Sequence, residues 1–379
     1  MSGGKKMLPF ARPTIDEETI QGVVEVLRSG WIASGPNVKE FEAALSRYLG
    51  GRPVRTQTSA TAGMEHALLV CGIGPGDEVI TPAMSFAATA NVIVRAGARP
   101  VFVDVADLDT RNIDFDQVEA AITPRTRAIM PVHFAGLPVD MDRLYAIANK
   151  HKLRVVEDAA LAIGTRWRGK LIGSFGDLVC FSFHPNKNIT TIEGGAVSGG
   201  SPEEVRALEL HRFHGQVKTG VDEFDYPFAG GKANLSDVAA RVGLGQLPRL
   251  EEFNARRRQL VARYFELWKD NPPVRLPARG DDGHSWSFFA PLLPLDHLRI
   301  TRRQYIEAMA ERGIGVGIHY PAIHTFTAYR KFGYREGQFP NAERIGRETV
   351  TLPLFPTMEF SDVDAVVAAT NEILRGARR

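Results

Sequence analysis

Cysteine is almost missing from this chain: Cys71 and Cys180 are the only two in 379 residues. Two thiols in this length make neither the disulfide framework of a small secreted domain nor a four-thiolate zinc site. Excess charge of either sign is missing too. Lys and Arg total 46 against 44 Asp and Glu, a formal net charge of +2, so there is no broad basic footprint for nucleic acid. No apolar run approaches the ~18 residues that a membrane-spanning helix needs. The opening MSGGKKMLPFARP has two lysines but no apolar stretch behind them, and it is not expected to be a secretory signal. A soluble, cytoplasmic protein with no nucleic-acid or membrane partner is the expectation.

What is present is ordinary globular material, 44% apolar and 24% charged, long enough for two domains at roughly 100–200 residues each. The chain alternates helical and extended patterns. Ile20, Val23, Val24 and Leu27 fall on one helical face, as do Met64, Ala67, Leu68 and Cys71. Short apolar runs follow at 79–81, 100–104, 128–132, 153–156 and 178–183. They do not alternate with polar residues, which suits strands buried on both faces of a parallel sheet. The helical pattern from Met141 to His151 separates two of them, arguing for βαβ units and an α/β fold. Near residue 245 the character changes. Residues 247–270 read as one long helix ended by Pro272-Pro273, followed by strands at 286–293 and 316–320 and helices near 301–312, 340–350 and 360–376. The expected division is a large α/β domain over 1–245, then a linking helix and a small C-terminal α+β domain over 246–379.

Some motifs are set aside. Gly72-Ile-Gly74-Pro-Gly76 follows a helix and precedes a strand, the wrong order for a dinucleotide loop, and reads as a helix-ending turn. His211-Arg-Phe-His214 lacks the spacing and neighbouring carboxylate of usual zinc motifs, so no metal is expected. Three stretches remain. In Ser182-Phe183-His184-Pro185-Asn186-Lys187 a strand ends and a lysine follows in a polar turn, with Gly194-Gly195 leading into another strand. In Val155-Val156-Glu157-Asp158 a carboxylate closes a buried strand, where open α/β sheets place their ligands. In Thr58-Ser59-Ala60-Thr61-Ala62 small hydroxyl residues precede a helix whose free N–H groups suit an anion. Singly, each has a plain reading: a solvated lysine, a helix cap, a capping sequence. Together they meet the needs of pyridoxal phosphate: a lysine for the Schiff base, a carboxylate for the pyridine nitrogen and a cup for the phosphate. Phe86 offers a face to stack on the ring, or else is a core residue at a helix start.

At these residues the chain resembles the DegT/DnrJ/EryC1/StrS sugar aminotransferases, within the fold-type I pyridoxal-phosphate enzymes. The resemblance spans nearly the whole chain, from Ser29-Gly30-Trp31 through Gly74-Pro75-Gly76-Asp77, Glu157-Asp158, Ser182-Phe183-His184-Pro185-Asn186-Lys187 and Gly313 to Pro321, to Leu352-Pro353-Leu354-Phe355-Pro356. Within the family, Ser59 to Met64, Lys232-Ala233-Asn234-Leu235-Ser236-Asp237 and His324-Thr325 look most similar to the aminotransferase that makes UDP-4-amino-4-deoxy-L-arabinose. The resemblance implies an aspartate aminotransferase-like three-layer fold and a homodimer with shared active sites. It implies that Lys187 carries the Schiff base and shuttles the proton, and that Asp158 pairs with the pyridinium nitrogen. Phe86 would stack on the ring. Thr61, Ala62 and Ser182 would hold the phosphate, joined by Asn234 from the other subunit. Trp31, His184, His319, Tyr320 and His324 would border the cleft for a nucleotide-linked keto-sugar, with glutamate as the expected amino donor. Two positions depart from the family: Leu161 where Gln or His is usual, and Ser287 where His is frequent. The alternatives carried forward are a non-catalytic or regulatory cofactor-binding relative, an aminotransferase for a small non-sugar amine, and a sugar dehydratase, against which Lys187 argues.

Overall fold

A computed structural model describes residues 7–379. Seven strands form one sheet: β1 (Val54–Gln57), β2 (Glu78–Pro82), β3 (Arg99–Val103), β4 (Thr126–Ile129), β5 (Arg154–Asp158), β6 (Leu178–Ser182) and β7 (Gly195–Ser198). Their spatial order is β1-β7-β6-β5-β4-β2-β3. β6, β5, β4, β2 and β3 pair in parallel, while β7 runs antiparallel to both β6 and β1. The sheet is therefore mixed rather than purely parallel, and β1 is a strand that its short, polar sequence did not announce.

The unbroken apolar runs have the cause expected of them. Within each strand, successive side chains enter different cores. Val155, Ile80, Ile129, Val179 and Phe181 pack with residues of α2 (Pro36–Tyr48), α5 (Phe115–Ala120) and α6 (Met141–His151). Val156, Val79, Ala128, Leu178 and Cys180 pack on the other face with α3 (Ala60–Val70), α4 (Ala87–Arg95) and α7 (Pro202–His211). Helices on both faces make three layers.

α1 (Glu17–Ser29) lies against α8 (Asp237–Gln246) on a face other than the one its sequence suggests. Thr19, Gly22 and Val26 are buried, whereas Ile20 and Leu27 are 44% and 55% exposed. Small residues let the two helices approach. A Cβ on Gly245 would stand 2.0 Å from Thr19 Oγ1, and one on Gly22 would meet the Arg241 guanidinium.

The long helix expected over 247–270 is α9 (Leu250–Leu267), entered through a 3₁₀ turn at Leu247–Arg249 that contains Pro248. Leu250 and Phe253 belong to the sheet's core, and Leu260, Val261, Tyr264 and Phe265 to a second core. That second core also holds residues of α10 (Arg302–Glu311) and α13 (Phe360–Gly376). The four-residue α11 (Thr327–Arg330) and α12 (Pro340–Glu348) pack instead with Phe134, Leu161 and Phe288 in a separate cluster. The strands expected at 286–293 and 316–320 do not form ladders. They are extended segments joined by single bridges, Phe289 to Leu352, Leu292 to Thr349 and Gly317 to Thr351. In 286–293, Pro291 has no N–H to give and Trp286 has φ +49°, so pairing of that segment cannot propagate.

Candidate functional site

The parallel strands deliver their C-terminal ends to one edge of the sheet, and the singled-out motifs arrive there because they follow those ends. Asp158 closes β5 and Ser182 closes β6. Because β7 is antiparallel, Gly195 opens it beside Ser182 and Gln57. α3 and α4 start just beyond β1 and β2. A cavity of about 340 Å³ sits at this edge, and its lining includes Lys187, Asp158, Phe86, Thr61, Ser182, His184, His319 and Tyr320.

Asp158 is 5% exposed. Its Oδ2 accepts from Thr89 Oγ1 at 2.7 Å, and its Oδ1 from the Ala160 N–H at 3.1 Å. Burial raises its pKa, while the bonds from Thr89 and Ala160 and the charge of Lys187 pull the other way. Burial lowers Lys187 to about 8, opposed by the charge of Asp158. An amine in that range spends a useful fraction of its time neutral at physiological pH, as a nucleophile requires. The start of α3 offers donors to an anion. Ser59 caps α3, its Oγ taking the Ala62 N–H at 3.1 Å. That commits the Ala62 donor and leaves those of Ala60 and Thr61, at the positive end of the helix dipole, for an anion. Gly195 makes the cup possible: a Cβ there would lie 2.4 Å from Ala60 N. Phe86, the N-cap of α4, is 59% exposed, so it is not a core residue. Its ring faces Tyr320 at 5.6 Å. The residues therefore fit pyridoxal phosphate: amine, buried carboxylate, free N–H pair and aromatic face share one cavity.

His319 stacks on Phe288 with ring centroids 4.8 Å apart, and its Nδ1 lies 2.7 Å from Thr351 Oγ1. Burial, then the charge of Lys187, lowers its pKa to about 4, so it faces the cavity as a neutral ring. Leu161 lines the wall with an apolar side chain. Three anticipated residues stand elsewhere. His324 is fully buried, with Nε2 2.9 Å from Glu343 Oε1 and its ring against Phe339; it is a core histidine, not part of this lining. Trp31 and Asn234 lie together on the surface, both bonded to Ser34: Trp31 Nε1 donates to its carbonyl and Asn234 Nδ2 to its hydroxyl. Ser287 is buried, and its hydroxyl has no partner among the described residues. Sequence reasoning did not single out Thr89 or Ser85, which stand behind Asp158. Ser85 stands between strand β2 and the expected aromatic Phe86, and Thr89 three residues after it, the one signal that could have drawn attention to them.

A model of the DegT/DnrJ/EryC1/StrS aminotransferase family matches residues 13–371. The chain is 39% identical over 381 residues to the spore coat polysaccharide biosynthesis protein SpsC of Bacillus subtilis, covering 98% of both. Among solved structures, the PLP-form of the putative sugar aminotransferase Spr1654 from Streptococcus pneumoniae superposes with a TM-score of 0.92 at 33% identity, over 98% of this chain and 99% of that one. DesV of S. venezuelae, in complex with a ketimine intermediate, gives 0.89 at 33% identity over the same shares. The chain belongs to the DegT/DnrJ/EryC1/StrS aminotransferase family.

Proposed function

We propose that this chain, a pyridoxal-phosphate-dependent sugar aminotransferase, moves an amino group from an amino acid, glutamate by preference, onto the carbonyl of a nucleotide-linked keto-sugar. The observation that carries the reading is the shared cavity of Lys187 and Asp158 beside the free N-terminus of α3. When bound, the cofactor supplies an electron sink for the pair left behind as a proton departs. The chain supplies the rest. The N–H groups of Ala60 and Thr61 and the Ser182 hydroxyl hold the phosphate. Phe86 covers the ring, and Asp158 keeps the ring nitrogen protonated. Lys187 Nζ carries the cofactor between turnovers. When free, Lys187 Nζ would take the proton from the donor's Cα and would return one during the second half-reaction. Its lowered pKa suits both duties.

His184, His319 and Tyr320 border the substrate side. His319 is neutral, so it orients by hydrogen bonding rather than by charge. We further propose a homodimer in which Trp31 and Asn234 of one copy complete the cavity of the other, with the two packed cores as the two domains, divided near residue 245. The uncovered apolar stripe of α1 and the exposed Trp31 and Ile32 beside it support the pairing.

Protein loaded with pyridoxal phosphate is expected to show a visible absorbance band that glutamate bleaches with release of 2-oxoglutarate. Lys187→Ala is expected to lose both the band and at least ~10³-fold in turnover. Full turnover in Lys187→Ala would overturn the mechanism, and failure of every keto-sugar nucleotide alongside success with small amines would overturn the substrate.

A further inference from the structure

We propose that Thr89 and Ser85 form a hydroxyl relay that positions Asp158 for the cofactor's ring nitrogen, making Thr89 a positioning residue of the site. The inference rests on Asp158 being the ring partner, as read above. Thr89 is fully buried in the first turn of α4, and Ser85 is 2% exposed just before it. Ser85 Oγ lies 2.7 Å from Thr89 Oγ1, and Thr89 Oγ1 lies 2.7 Å from Asp158 Oδ2.

The direction of the relay follows from counting protons. An ionised carboxylate only accepts, so the single Thr89 proton goes to Asp158. Its longer contact to the Phe86 carbonyl, 3.1 Å, can only share that proton. Thr89 must then receive from Ser85, which gives Ser85→Thr89→Asp158. The Ala160 N–H occupies one site on the other oxygen, so both carboxylate oxygens are pinned from the protein side while each keeps a lone pair free. A hydroxyl that donates stabilises the ionised carboxylate against its burial, and an ionised, fixed carboxylate is what holds a ring nitrogen protonated. A plain helix-cap role for Thr89 explains the contact to Phe86 but not the shorter one to Asp158, 69 residues away.

The test compares Thr89→Val, Thr89→Ser, Ser85→Ala and Asp158→Asn. Cofactor-free protein is titrated with pyridoxal phosphate, the visible band is followed against pH, and the cofactor-free proteins are melted. Thr89→Val keeps the shape and removes the donor. It is expected to weaken cofactor binding about tenfold, the size of one lost hydrogen bond to a charged group. It should also move the pH midpoint of the band upward, because a less firmly protonated ring nitrogen repels the proton on the Lys187 nitrogen less. Thr89→Ser should restore both readings. Ser85→Ala should move the midpoint the same way by less, and it carries the test if Thr89→Val does not fold. Wild-type affinity and midpoint in Thr89→Val, or no rescue by Ser, overturn the relay. Wild-type binding and turnover in Asp158→Asn would instead overturn the assignment of Asp158 itself.

Discussion

Lys187 holds a charge that its surroundings disfavour, and this has a consequence for stability. A free lysine titrates near ~10.4, whereas burial brings Lys187 to about 8. Between those values the unfolded chain binds a proton that the folded chain has released, so this group's contribution to stability rises with pH across that window. Below it both states are charged and the burial penalty is constant. Cofactor-free protein is therefore expected to gain stability relative to Lys187→Met as pH rises from about 8 to about 10, as read by urea unfolding; a pH-independent difference would contradict the burial argument. At this scale Lys187, Asp158 and Phe86 could be singled out because chemistry restricts which side chains serve, and the fold brings all three to one cavity. Thr89 was not, since a threonine in a helix's first turn resembles any other, and only the fold brings it to Asp158. His324 shows the converse: the expectation for it came from its sequence neighbourhood, while its ring turns inward to Glu343.

At the scale of elements, the site depends on how closely backbone segments approach. β7 passes the start of α3 so tightly that Gly195 leaves no room for a side chain, with Ser59 C and Ala60 N each 2.4 Å from where a Cβ would be. Gly195→Ala must push the helix start away from the strand. It is expected to cost about 1–3 kcal/mol in stability, as overpacking does, and to weaken pyridoxal phosphate binding by more than ~10-fold through misplaced N–H donors. Parallel urea and cofactor titrations would show whether binding suffers beyond stability. The Gly194-Gly195 pair was visible in the sequence, but its clash partner was not. The same limit applied beyond α9, where apolar runs at 286–293 and 316–320 suggested strands. Both make only single bridges, the first because a proline and a left-handed residue interrupt it.

At the scale of the whole molecule, α1 shows a periodic apolar stripe that the described residues leave uncovered, because small residues on a different face of the helix dock it against α8. With Ile15, Trp31 and Ile32 also exposed, the patch suits a second copy. Ile20→Asp with Leu27→Asp is expected to shift sedimentation toward the monomer. If Asn234 serves the partner's cavity, the same change should lower cofactor affinity as well. A double variant that stays dimeric would remove α1 from the interface, and a fully active monomer would remove the shared site.

The sequence by itself determined the layers and the cofactor chemistry. Strands buried on both faces must be continuously apolar, and an amine, a carboxylate and an anion cup must each be particular residues at strand or helix ends. Tertiary structure decided the rest: the reversed direction of β7, the face on which α1 packs, the burial that lowers Lys187, and the hydroxyl pair behind Asp158. Each of these depends on which distant segment lies within a few ångströms, and no local pattern of residues records that.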